Sequence, residues 1–266
     1  MGSKIIGLDQ WFETPPGRYL LDWERARFEH AVADIFGYHA LQLGLPQLDV
    51  LAGNRMPHRW LACEQTVQTA EFAGSMALAT DFAALPFAEA SLDLVALPHA
   101  LEFSADPHAT LREVERVLVP DGRVVISCMN PASLWGLRQR RAHLTRRLGW
   151  GELYLPDAGE FIAWRRLRDW LRLLGFEVES SQFGCYRPAV DSDKWLERTA
   201  WMDRLGERWW PIFGAAYFLV AVKRVRGMRL ISPAWKGRKV VATAPVSIAG
   251  KQANTLTNKE NELELH

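Results

Sequence analysis

Five short apolar runs occupy the first half of the chain, and none of them alternates with polar residues: "ALQL" (40–43), "RWLACE" (59–64), "ALAT" (77–80), "LDLVALPHAL" (92–101) and "GRVVISCMN" (122–130). A strand with one wet face alternates; a strand covered on both faces does not. The runs therefore call for a parallel sheet buried between two layers. Helical patterns supply those layers. Leu21, Phe28, Val32, Ile35 and Phe36 make a stripe across residues 18–36, with Gly37 as its stop. Asp106-Pro107 reads as an N-cap with proline in the first turn, followed by the face Leu111, Val114, Val117 and Leu118. Asp157 with Glu160 makes a capping-box start for a face from Phe161 to Leu174, ended by Gly175. Two late strands, 176–186 and 215–225, flank a Trp-rich helix over 193–210 that Pro211 stops. Strands and helices in this order predict an α/β fold with a mostly parallel sheet.

Composition narrows the function classes. A net charge of +1 gives no global attraction to nucleic acid or to an anionic membrane. No stretch approaches the roughly 18 apolar residues of a membrane span, and the first residues, "MGSKIIGLDQWF", lack a signal-peptide core. A cytoplasmic location is the expectation. Cys63, Cys128 and Cys185 are odd in number and widely spaced, so they read as buried small hydrophobes rather than as a disulfide framework or metal ligands. The chain loses periodicity from Arg229, and its end, "GKQANTLTNKENELELH", is polar and lacks aromatics, which predicts a disordered tail over 229–266, behind one domain over 1–228.

Ligands of an open parallel sheet bind beyond the carboxyl ends of its strands. The residues there are Gly44, Glu64, Asp81 with Phe82, Pro98 with His99, and Asn130 with Pro131. A carboxylate at the second strand end can accept hydrogen bonds from both ribose hydroxyls, and a second carboxylate can accept from an exocyclic adenine amine. Gly44 and Glu64 are about twenty residues apart, the separation expected between the glycine of a cofactor turn and a ribose-binding acid. Acids also end strands simply because strand ends are wet. Both acids in register with Gly44 favour an adenosine site.

The segment "DFAALPFAEASLDLVALPHALEFSADPHATLREVERVLVPDGRVVIS" (81–127) resembles the class I S-adenosylmethionine-dependent methyltransferases, in the branch typified by ubiquinone and menaquinone biosynthetic enzymes. That resemblance implies a Rossmann-like seven-stranded, mostly parallel sheet with helices on both faces and a C-terminal antiparallel strand. It implies S-adenosyl-L-methionine as cofactor, with Asp81 at the adenine amine, Phe82 offering its backbone amide to the ring, Glu64 at the ribose and Gly44 near the methionine end. Pro98 and His99 would lie beside the methyl group, and His99 is the candidate catalytic base, with Glu102 and Tyr186 behind it. The family shows a three-glycine loop where "LGLPQLD" keeps one glycine. The stretches 45–59 and 65–76 are short for crossover helices, so abbreviated or irregular ones are expected.

The acceptor side falls to two insertions. Residues 131–156 carry Arg138, Arg140, Arg141, Arg146 and Arg147, which suits a solvated lid or an anionic substrate such as RNA. Residues 187–214 carry Trp201, Trp209 and Trp210, which suits a helix packed on the sheet or an apolar lid. The acceptor is a small molecule or RNA. The alternatives are a binding or scaffold protein that kept the fold and lost catalysis, and a nicotinamide-dependent oxidoreductase, which the missing glycines disfavour.

Overall fold

A computed structural model describes residues 11–64, 76–146, 154–155 and 161–224. The capping-box residues 157–160, most of the second crossover and the expected tail lie outside them. A seven-stranded sheet runs through the described residues, and no helix there is long and apolar enough to cross a membrane. In chain order the elements are α1 (Pro15–Ala33), β1 (His39–Leu43), β2 (His58–Cys63), β3 (Met76–Ala79), β4 (Leu92–Pro98), α2 (Ala100–Phe103), α3 (Pro107–Val117), β5 (Leu118–Met129), α4 (Leu134–Arg146), α5 (Trp164–Leu173), β6 (Phe176–Gly184), α6 (Asp193–Arg198), α7 (Trp201–Trp209) and β7 (Ala216–Lys223).

The strand order is β3-β2-β1-β4-β5-β7-β6. All pairings from β3 to β5 are parallel, and β7 alone runs against its neighbours. The order reverses between β1 and β4, and the chain needs crossovers to both sides of that line. Such a reversal leaves a crevice at the carboxyl ends of β1 and β4.

For β1, β4 and β5 the unbroken apolar runs have the predicted cause, because the sheet is covered on both faces there; the run at β3 does not, since this edge strand is largely exposed. Ala40, Leu94, Ala96 and Val125 point into one core with Leu20, Phe28 and Val32 of α1. Their neighbours Leu41, Leu43, Val95, Leu97, Val124 and Ile126 point into the other, against Leu111 and Val114 of α3 and Leu167 and Leu171 of α5. Cys63, Cys128 and Cys185 are free and buried, as the sequence predicts.

Several local readings need correction. The buried stripe of α1 is Leu20, Glu24, Phe28 and Val32; Phe36 lies beyond the helix end and is exposed. Residues 45–57 form turns with no helix. The Trp-rich segment is two helices rather than one. Thr199 Oγ1 donates to the Trp195 carbonyl at 2.8 Å, a side-chain bond that competes with the helical ladder where α6 stops. The Asp106 cap is as expected: its carboxylate accepts from Ala109 N at 3.0 Å.

Candidate active site

The sheet ladder continues one step past each strand end and aligns the residues there. Gly44 N donates to Ala62 O at 2.7 Å, Thr80 N to Cys63 O at 2.9 Å, and His99 N to Ser127 O at 2.9 Å. Glu64 and Asp81 consequently stand at the ends of two adjacent parallel strands, and both are exposed. Asp81 Oδ1 accepts from Ala83 N at 2.8 Å and so shapes the turn that follows β3. That turn places the Phe82 ring, which is buried, against Gly44.

Gly44 has φ of +73°, where only glycine sits without strain. Space is not the constraint: a Cβ there would meet the Phe82 ring at 3.7 Å, an ordinary contact. The next residue, Leu45, also has a positive φ, +48°, a conformation that costs a side-chain-bearing residue about 1 kcal/mol or more. Gln42 holds it there. The buried Gln42 amide lies 3.0 Å from the carbonyls of Gly44 and Leu45 and 2.8 Å from that of Leu48, while its Oε1 accepts from Val50 N at 3.1 Å. Leu45, Leu48, Val50 and Leu51 then fill the core. One side-chain amide and a plug of aliphatic residues thus organise the turn that glycines organise elsewhere.

The far side of the crevice is built on buried charge. His99 follows β4 with φ of +54°, and Ala100 beside it approaches Gly44. Its ring is 1% exposed and lies between two carboxylates. Nδ1 is 2.6 Å from Glu102 Oε2, and Nε2 is 2.8 Å from Glu24 Oε1 on α1. The second contact is an ion pair rather than an aligned hydrogen bond, and Glu24 Oε2 has no hydrogen-bond partner among the described residues. Glu102 Oε1 accepts from Met129 N at 2.5 Å, which ties the cluster to the end of β5. Burial alone would lower the imidazole pKa, but the two flanking carboxylates outweigh it and push His99 up to about 10. Burial pushes Glu102 up, against the pull of His99 and Met129 N. The Phe12 ring, with its centroid 6.1 Å from that of His99, closes the cluster from the N-terminal side.

The structure therefore brings Gly44, Phe82 and Ala100 close together, sets Glu64 and Asp81 at the ends of neighbouring strands with Asp81 one residue beyond the level of Glu64, and places Pro98 and His99 in the interior. Tyr186 is buried, its hydroxyl donating to Pro211 O at 2.8 Å. Sequence reasoning missed Glu24 and Gln42. Each carries the same signal, a polar residue at a core position of an otherwise apolar frame: Leu20–Glu24–Phe28–Val32 in the helix and Ala40-Leu41-Gln42-Leu43 in the strand.

Asn130, past the end of β5, binds the second insertion. Its Nδ2 donates to Ile212 O and Gly214 O, both at 2.8 Å. The basic α4 is anchored nearby, with the buried Trp135 donating through Nε1 to Arg187 O at 2.8 Å.

A family model described as a methyltransferase domain matches residues 43–126. The uncharacterized protein YafS of Escherichia coli (strain K12) is 31% identical over 178 residues, 66% of this chain and 68% of that protein. Malonyl-[acyl-carrier protein] O-methyltransferase 1 of Coxiella burnetii is 39% identical over 62 residues, 23% of this chain and 22% of that enzyme. An S-adenosylmethionine-dependent methyltransferase from Mesorhizobium loti shares the fold, with a TM-score of 0.53 at 14% identity over 81% of this chain and 100% of that one. The chain belongs to the YafS family, within the class I S-adenosylmethionine-dependent methyltransferase superfamily.

Proposed function

We propose that the chain binds S-adenosyl-L-methionine across the carboxyl ends of β2, β3, β1 and β4 and transfers its methyl group to a small-molecule or RNA acceptor. The observation that supports this most is the pair of exposed carboxylates, Glu64 and Asp81, at the ends of adjacent parallel strands beside Gly44. The residues present fit the cofactor. Two acids suit the hydroxyls and amine of an adenosine, Phe82 supplies an apolar ring and a backbone amide, and Gly44 adds no side chain at the turn. In this reading Glu64 holds the ribose, Asp81 and Phe82 the adenine, and Gly44, Pro98 and His99 border the methionine end. The working unit is residues 1–228, in the cytoplasm, with 131–156 and 187–214 on the acceptor side.

Bound cofactor supplies an activated methyl group, so the chain must mainly orient the acceptor and exclude water. We assign His99 a positioning role in place of the base role that its sequence position suggests. A ring paired on both nitrogens, with its pKa pushed up to about 10, keeps its proton at neutral pH. Held so, it fixes the end of β4 and fastens α1 to the sheet. Calorimetric titration of the full chain with S-adenosyl-L-methionine tests the cofactor reading; saturable binding is expected, and heats of dilution alone at millimolar cofactor would overturn it. Catalysis is tested on the conservative His99→Gln variant. A positioning role predicts a fall in kcat with an unshifted pH optimum, whereas loss of the limb on which the rate rises with pH would return His99 to a base role.

A further inference from the structure

The second insertion sorts its charges by direction. Asp193 of α6 pairs inward with Arg18 of α1 at 3.1 Å. Asp203 of α7 accepts from the Tyr19 hydroxyl of α1 and from Arg187 Nε, the latter at 2.9 Å. Glu207 of α7 reaches Arg27 of α1 at 3.4 Å. At about 100° per residue, the opposite arc of α7 holds Arg204, Arg208, Trp201, Leu205 and Trp209 and no acid. The three apolar members of that arc are 57%, 38% and 70% exposed. On α6, Lys194, Arg198 and Trp195 are exposed as well, while Glu197 lies on the side of Asp193 and lines the cleft with Arg18 of α1. Past α7, Ile212 and Phe213 continue the apolar surface. Of the fourteen exposed large hydrophobics among the described residues, seven fall between Trp195 and Phe213. Scattered exposed apolar residues need no explanation, but a run this dense does.

We propose that the outward face of α6 and α7 docks on the surface of a lipid bilayer that carries anionic headgroups. The chemistry matches from both sides. Tryptophan rings with an apolar body and an N–H edge favour the membrane–water interface. Arginine and lysine stems lie along apolar surface while their heads reach phosphates. A nine-residue helix is about 14 Å long, too short to span a hydrocarbon core of about 30 Å. It lies in the plane of the interface instead. The chain's net charge of +1 cannot supply the attraction, so the local separation of cations outward and acids inward is what makes the face complementary to an anionic surface. A second copy of the same face would bring its arginines against like charge. Single-stranded RNA would stack on the rings but find no π surface at Leu205 or Ile212. Asn130, at the end of β5, hydrogen-bonds the Ile212 carbonyl, so the docked face is joined directly to the edge of the sheet where ligands bind. The docking itself stands whether or not the chain transfers methyl groups.

The test is co-sedimentation of the full chain with vesicles of phosphatidylcholine alone and of phosphatidylcholine with about one third phosphatidylglycerol. The expected result is partition into the anionic vesicles, weakened by high salt. The variant Leu205→Ser with Trp209→Ser is expected to lose binding to both vesicle types. The variant Arg204→Glu with Arg208→Glu is expected to lose on the order of tenfold or more of the anionic preference. Circular dichroism and cofactor titration check that each variant is folded. No partition of the wild type overturns the proposal. So does retention of binding by both folded variants, or a surface whose substitutions abolish self-association or RNA binding in place of vesicle binding.

Discussion

Two pairs of carboxylates in this molecule live under opposite conditions. Glu64 and Asp81 stand in water at the ends of β2 and β3. Glu24 and Glu102 are sealed around His99 at the end of β4, none of the three more than 1% exposed. An exposed carboxylate keeps its oxygens free for a ligand and adds little to stability. A buried one must be matched by a counter-charge, and breaking the match is costly because an uncompensated charge stays behind. The comparison separates two jobs that a sequence motif presents as one. The outer pair is open to solvent, and the inner trio ties α1 to the ends of β4 and β5.

The largest expected effect breaks the inner trio. Glu102→Ala leaves the imidazolium short of one partner and Met129 N without its acceptor, and should destabilise the fold by about 3–5 kcal/mol in denaturant melts. Glu64→Ala in the same assay should change stability by no more than about 0.5 kcal/mol. Equal effects would dissolve the distinction. Next comes Gln42→Leu, which strands the carbonyls around Leu45 and the N–H of Val50; roughly 2–4 kcal/mol is expected, with the Gly44–Leu45 turn more susceptible to proteolysis.

A pH series sharpens the contrast without a mutation. The folded-state pKa of His99 is raised to about 10 from its ordinary 6.5. Its stabilising contribution is therefore complete below about 6.5 and is lost as pH rises toward 10. Glu102, also raised, adds to the same downward slope from its own ordinary value upward. Melting temperature should fall across the alkaline range, and His99→Gln should flatten that slope. A slope of equal size in His99→Gln would remove the imidazolium from the account.

Much of the architecture was legible in the sequence because burial on both faces leaves a plain mark. Runs such as Leu92–Pro98 and Arg123–Met129 cannot be edge or surface strands, and Asp106-Pro107 announces its helix. The outer acids were legible for a related reason, since they follow apolar runs directly. Glu24 was not, because a helical stripe is read by its apolar members and the exception at its centre looks like noise. Gln42 was hidden the same way inside a strand. Leu45 and Pro46 looked like damage to a glycine loop. They are part of a different solution, in which the Gln42 amide holds the backbone and Leu45 and Leu48 fill the core space that a crossover helix would otherwise occupy. The break at Thr199 escaped because a single hydroxyl bond to Trp195 is invisible to periodicity.

The most direct test is calorimetric titration of S-adenosyl-L-methionine into the wild type, Glu64→Ala, Asp81→Ala and the double variant, each confirmed to melt like the wild type. Saturable binding by the wild type, about tenfold weaker in each single variant and weaker again in the double one, is the predicted result. Undiminished affinity in the double variant, with the fold intact, would contradict the assignment of the exposed pair to the nucleoside.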